Sequence, residues 1–184
     1  AGVTYRRLGV AAIDDLVGQG VNYGAAMTAA RDMEDVDVIV VGGGNSAGQA
    51  AVHLARFARS VTMIIRRPDL SDTMSRYLIG EIEHNPRITV RCHAAVVDGG
   101  ADRDGRLAWV DLEDVRTAER SRQEVQGLFL LLGAEPRCQW LPQEVSLDAR
   151  GFVLTGRDVP QENWANGIPP ADLATTVEGI FAAG

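Results

Sequence analysis

Residues 36–59 constrain the fold more than any other stretch of the chain. Val36-Asp37-Val38-Ile39-Val40-Val41 is short, β-branched and nearly all apolar, the composition of a strand covered on both faces. Gly42-Gly43-Gly44-Asn45-Ser46 breaks it. Residues 47–59 then place Ala51, Leu54, Ala55 and Ala58 on one helical face, with Arg56 and Arg59 off it. Residues 61–65 read as a second buried strand, ended by Arg66-Arg67-Pro68 because proline cannot continue a ladder. Strand, glycine turn, helix and strand make a βαβ unit, so an α/β domain around a parallel sheet is expected.

A second helix is predicted from a cap at Ser71 or Asp72 to about His84, with Met74, Leu78, Ile79 and Ile82 as its apolar stripe. Residues 88–97 read as one strand, and the Asp98-Gly99-Gly100-Ala101-Asp102-Arg103-Asp104-Gly105 cluster as a turn. Alternating residues 107–115 and a strand near 123–125 complete an antiparallel meander. Residues 128–132 are the last strongly apolar strand, Gly133-Ala134-Glu135-Pro136 its exit, and beyond Leu147 the chain is rich in loops.

Composition narrows the chemistry. With 184 residues, 46% of them hydrophobic, the chain is long enough for a sizeable core, and its apolar runs are too short to span a bilayer as helices. The net charge of -7 argues against nucleic acid as a partner. All 18 basic residues are Arg, which excludes lysine Schiff bases and a Walker-type phosphate lysine. Cys92 and Cys138 form no CxxC and read as buried thiols of a cytoplasmic protein. His53, His84 and His93 are scattered, and no metal site is expected. Absence of an initiator Met and a finish inside the apolar phrase 179–184 suggest an excised segment, and residues 1–7 do not read as a targeting signal.

The glycine turn fits G-x-G-x-x-A through Gly42, Gly44 and Ala47. The first glycine permits the tight bend, Gly44 lets the backbone approach a pyrophosphate, and Ala47 lets the helix pack close to the strand. The helix N-terminus offers N–H groups to the anion, with Asn45 and Ser46 as side-chain donors beside them. The fold expected is therefore a Rossmann-like NAD(P)-binding domain. At the end of the second strand, where an acidic residue would accept from the ribose of NADH, stand Arg66 and Arg67, with Arg76 as a supplement. That arrangement suits NADPH. One good Arg–phosphate contact, worth about 1.5–3 kcal/mol, favours NADPH over NADH by about tenfold to a hundredfold. Trp109, Trp140 and Trp164 read as packing or surface-anchoring residues, and Asp111, Glu113 and Asp114 as a solvated strand face.

Together these phrases resemble the thioredoxin-reductase-like branch of the FAD-dependent pyridine nucleotide-disulfide oxidoreductases. Residues 2–8 look like the exit from that family's first FAD segment, 41–47 like its NADPH turn, and Arg66-Arg67 like its 2′-phosphate readers. Residues 133–136 and 179–184 look like the passage back into the FAD domain. The resemblance implies flanking stubs at 1–33 and 161–184 around an NADPH-binding domain at 34–160. It also implies FAD in the intact parent only, an electron acceptor that the sequence does not name, and a homodimeric parent.

Two departures stand out. Where the family carries its redox CxxC after a Tyr, Tyr23 is followed by Gly24-Ala25-Ala26-Met27, so thioredoxin reduction through that disulfide is not expected. Ser71 stands near the place of a further arginine, which implies weaker 2′-phosphate affinity. The Met74-Ser75-Arg76-Tyr77-Leu78-Ile79 phrase is similar to bacterial members fused to sensor domains, which also lack the CxxC. The expected function is presentation of NADPH to FAD for hydride transfer, with no catalytic residue of its own. The alternatives are a part of a ferredoxin-NADP reductase-like enzyme, or a sensor module without turnover.

Overall fold

The computed structural model describes residues 2–24 and 30–183. The chain packs as two compact units, Arg7–Gly133 and a second made of Ala1–Arg6 with Ala134–Gly184. The expected boundaries at 33/34 and 160/161 are not where packing divides the chain. Residues ahead of 34 contribute a strand and the fully buried Ile13 to the larger unit.

In the larger unit a five-stranded parallel sheet has the order β2-β9-β3-β4-β5. Its strands are β2 (Val21–Tyr23), β3 (Asp37–Val41), β4 (Ser60–Ile64), β5 (Ile88–Arg91) and β9 (Gly127–Leu130). Side chains alternate across it, because successive Cβ atoms of a strand point to opposite faces. Val38, Val40, Val61, Met63 and Phe129 join a core with helices α2 (Asn45–Leu54) and α3 (Arg76–Glu83). Ile39, Val41, Ile64, Leu128 and Leu130 face a second core. That core is closed by the antiparallel strands β6 (Ala94–Ala101) and β7 (Leu107–Asp114), by Val125 and by α1 (Ala11–Asp14), while β8 (Arg120–Glu124) pairs with β7 and is largely exposed. The expected α/β architecture, parallel sheet and meander are therefore present.

Three local expectations need correction. The predicted strand at 88–97 is two strands in different sheets, parted where His93 adopts a positive φ of 53°. The predicted 98–105 turn begins only at Asp102, and β6 runs through Gly99 and Gly100. Those glycines serve close packing: a Cβ on Gly99 would lie 2.3 Å from Ile13 Cδ1, and one on Gly100 2.6 Å from the Trp109 ring. The second helix starts at Arg76 rather than after Ser71 or Asp72. Asp69 draws the preceding residues into a side-chain-bonded turn, its Oδ1 accepting from Ser71 N at 2.7 Å and Ser71 Oγ at 2.6 Å.

The solvated acidic face is paired across the meander: Arg122 with Asp111, Arg120 with Glu113 and, along the chain, Arg116 with Asp114. Arg122 also stacks on the Trp109 ring, 3.4 Å from its centroid. Cys92 and Cys138, expected to be buried, are partly exposed and free. Among the described residues, no helix is long and apolar enough to cross a membrane and no group of side chains is arranged to hold a metal.

At the amino ends of β3 and β4, Asp37 accepts from Arg59 through both carboxylate oxygens and from Ser60 Oγ at 2.7 Å. The Arg59 guanidinium, helped by Ser60, holds the Asp37 carboxyl below its usual range against the opposing effect of burial. A depressed folded pKa stabilises above the unfolded value, about 4 for Asp, and that stability is lost as pH falls through the folded value. Asp37→Asn is expected to cost about 0.5–1 kcal/mol at neutral pH, since Arg59 is largely exposed. Urea unfolding from pH 7 to pH 3 should show the variant and wild type converging on the acid side.

In the smaller unit β1 (Val3–Tyr5) pairs antiparallel with β10 (Ala134–Pro136). Arg137 Nε donates to Thr4 Oγ1 at 2.7 Å, and Arg6 Nε to Glu135 at 3.1 Å. The remainder is largely irregular, with Val145 and Val159 buried while Trp140, Ile168 and Phe181 are about two-thirds exposed.

Candidate functional site: a dinucleotide-type turn

The chain advances from β3 to β4 to β5 on one side of the sheet, and β9 returns to the other side of β3. The carboxyl ends of β3 and β9 thus flank a topological switch point, where open α/β sheets bind ligands. The glycine turn leaves β3 there. Gly42 N donates to Ile64 O at 3.1 Å, and Leu131 N to Val41 O at 2.9 Å. Gly42 has φ 145°, and a Cβ on it would come 2.5 Å from Leu131 O and 3.1 Å from Ala47 Cβ. Its glycine is required by the fold, and the buried Ala47 permits the close approach that its place in the motif predicts.

Gly44 has a different reason to be glycine. It is the N-cap of α2, with φ -92° and ψ 175°, extended backbone that any residue adopts. The nearest protein atom to a Cβ there is Thr73 O at 4.0 Å. Neither strain nor packing excludes a side chain, so what the missing Cβ leaves open is the approach to the helix N-terminus. Among the described residues the amides of Gly43, Gly44, Asn45 and Ser46 make no hydrogen bond to the protein. Ala47 N and Gly48 N already bond Gly44 O, at 3.0 and 3.1 Å. A turn of donors at the positive end of a helix, with room above it, fits a diphosphate.

Gly42, Gly44, Asn45, Ser46 and Ala47 all belong to this turn, with Asn45 and Ser46 exposed. Asn45 is partly committed, because its Oδ1 accepts from Ser75 N at 2.8 Å. Thr73 Oγ1 donates to Gly43 O at 2.8 Å. These two bonds tie residues 66–75 to the turn and bring Arg76, the first residue of α3, next to a residue bonded to it. The predicted helix cap at Ser71 or Asp72 places Thr73 and Ser75 inside the helix and gives them no part in the site; their signal is a cluster of small hydroxyl side chains just ahead of the helix that forms at Arg76.

Arg66 and Arg67 leave the carboxyl end of β4. Their backbone is held from the β5–β6 connection, where Ala94 N donates to Ile65 O at 2.9 Å and His93 N to Arg67 O at 3.1 Å. Both side chains are exposed. Among the described residues Arg66 and Arg76 have no carboxylate partner, whereas Arg67 Nη1 lies 3.4 Å from Asp72 Oδ2. Guanidinium groups free to fork around a phosphate fit a 2′-phosphorylated ribose better than a bare diol. Of the four positions where a CxxC would stand, Gly24-Ala25-Ala26-Met27, the last three lie outside the described residues.

A family profile described as pyridine nucleotide-disulphide oxidoreductase matches residues 1–184. A thioredoxin reductase of Mycolicibacterium smegmatis is 33% identical across 100% of this chain and 53% of its own length. NADPH-dependent thioredoxin reductase 3 of Arabidopsis thaliana is 32% identical over 100% of the chain and 32% of its own. The crystal structure of T. acidophilum thioredoxin reductase superposes with a TM-score of 0.79 at 25% identity, covering 100% of this chain and 54% of that one. The chain thus spans about half the length of the first and last of these and a third of the second. With a profile matched from one end to the other and the fold shared, the chain belongs to the pyridine nucleotide-disulphide oxidoreductase family.

Proposed function

We propose that this chain is the NADPH-binding part of a flavin-dependent oxidoreductase and that it works without a dithiol of its own. The observation that carries the reading is Gly44: a glycine that the backbone and the packing do not need, set over amides without a protein acceptor. The amides of residues 43–46 and the Ser46 hydroxyl would hold the diphosphate, and Arg66, with Arg67 and Arg76, the 2′-phosphate. Thr73 and Asn45 position the arginine segment against the turn.

When bound, NADPH supplies the hydride that reduces FAD in the intact, cytoplasmic parent. The work of these residues is to bind and orient, and no general acid, general base or nucleophile is assigned to them. The sequence Tyr23-Gly24-Ala25-Ala26-Met27, and the absence of a CxxC elsewhere in the 184 residues, support electron transfer to an acceptor other than through a cysteine pair.

Calorimetric titration of the chain tests the reading. NADPH should bind at least tenfold more tightly than NADH, and Arg66→Ala combined with Arg67→Ala should bring the two together. Equal affinities in wild type would overturn the NADPH assignment, and no binding of either coenzyme would overturn the site.

A further inference from the structure

We propose that Asp72 sets how strongly this chain discriminates NADPH from NADH, by competing with the 2′-phosphate for Arg67. The proposal rests on the assignment of residues 66–76 to the ribose phosphate. That segment carries three guanidinium groups, Arg66, Arg67 and Arg76, against two carboxylates, Asp69 and Asp72. Its excess is a single positive charge, much less than the arginine pair by itself suggests.

The two carboxylates are disposed differently. Asp69 is satisfied within its own turn by Ser71 N and Ser71 Oγ, and those two bonds hold its carboxyl below the usual range, so it stays ionised and turned to local donors. Asp72 faces Arg67, with Nη1 to Oδ2 at 3.4 Å. Both partners are more than half exposed, 54% and 65%, so the pair is screened and opens readily.

A guanidinium offers its donors along fixed edges. A dianionic phosphate reaching Arg67 must therefore displace the Asp72 carboxylate or bind beside it against like-charge repulsion. Arg66, with no carboxylate partner among the described residues, carries no such handicap. The structure thus assigns unequal shares to the two arginines: Arg66 is open to the phosphate and Arg67 is held back by its neighbour. NADH carries an uncharged 2′-hydroxyl in place of the phosphate, so the competition for the charge of Arg67 is confined to the phosphorylated coenzyme.

Asp72→Asn keeps the size of the side chain and removes its charge. Calorimetry at low ionic strength should show NADPH binding about threefold to tenfold tighter, from removal of one screened like charge, with NADH unchanged within about twofold. In an Arg67→Ala background the same substitution should gain less than about twofold, since the competition is for Arg67. Matching thermal melts would show that the variants are folded. If wild type prefers NADPH but Asp72→Asn leaves that preference unchanged or weakens it, the proposal is overturned while the coenzyme assignment stands. A full gain that persists without Arg67 also overturns it. If wild type binds neither coenzyme, the underlying site assignment fails and the proposal with it.

Discussion

Gly42→Ala is expected to destabilise the Arg7–Gly133 unit by about 2–4 kcal/mol, a large effect for one methyl group. A Cβ there points at backbone, 2.5 Å from Leu131 O, and cannot be relieved by rotating a side chain. Relief requires β3 and the end of β9 to part, which strains the 2.9 Å bond from Leu131 N to Val41 O at the centre of the sheet. The φ of 145° adds a cost that alanine bears and glycine does not. For a chain of this size the loss corresponds to a melting temperature lower by about 5–15 °C. Gly43→Ala is the control. Its Cβ meets Ile65 Cγ2 at 3.4 Å and Thr73 Oγ1 at 3.6 Å, ordinary contacts on a backbone with no positive φ, so its cost should stay below about 1 kcal/mol. Indistinguishable melts for the two variants would mean that the turn is not wedged beneath β9.

The legible parts of this fold were those where one physical requirement acts alone. Strands β3, β4 and β9 are covered on both faces, so their sequences are continuous apolar runs whatever their neighbours. The turn was legible because a bend between strand and helix admits few residues. Where two requirements meet, the sequence misleads. Gly99 and Gly100 read as a turn, although Ile13 and Trp109 exclude a Cβ at both. The 88–97 run read as one strand because β5 and β6 are each apolar enough, and the reversal between them rests on His93, a residue type with no strong turn preference. Strands β1 and β10 are three residues long and mostly exposed, so no alternation betrays them. At the site the residue types were legible but not their commitments. That Asn45 accepts from Ser75, or that Asp72 holds Arg67 instead of capping a helix, depends on residues meeting across a turn.

The second large effect separates binding from folding at the same turn. Gly44→Asp is expected to leave the melting temperature unchanged or raise it slightly, because Asp is among the preferred N-cap residues and its carboxylate satisfies an orphan amide of α2. The backbone at φ -92° and ψ 175° accepts it, and the nearest protein atom to its Cβ is 4.0 Å away. That carboxylate then occupies the donors that a diphosphate would use and repels it. Losing two charge-assisted hydrogen bonds of about 1.5–3 kcal/mol each weakens binding by more than about a hundredfold. NADPH and NADH should be lost together, since both carry the diphosphate, whereas removing Arg66 and Arg67 should affect NADPH alone. Thermal melts and calorimetry on one preparation decide the matter. A variant that melts like wild type and still binds NADPH within about threefold would place the diphosphate elsewhere. A variant that loses both coenzymes while keeping its melting point would mean that the open space over Gly44 exists for the ligand.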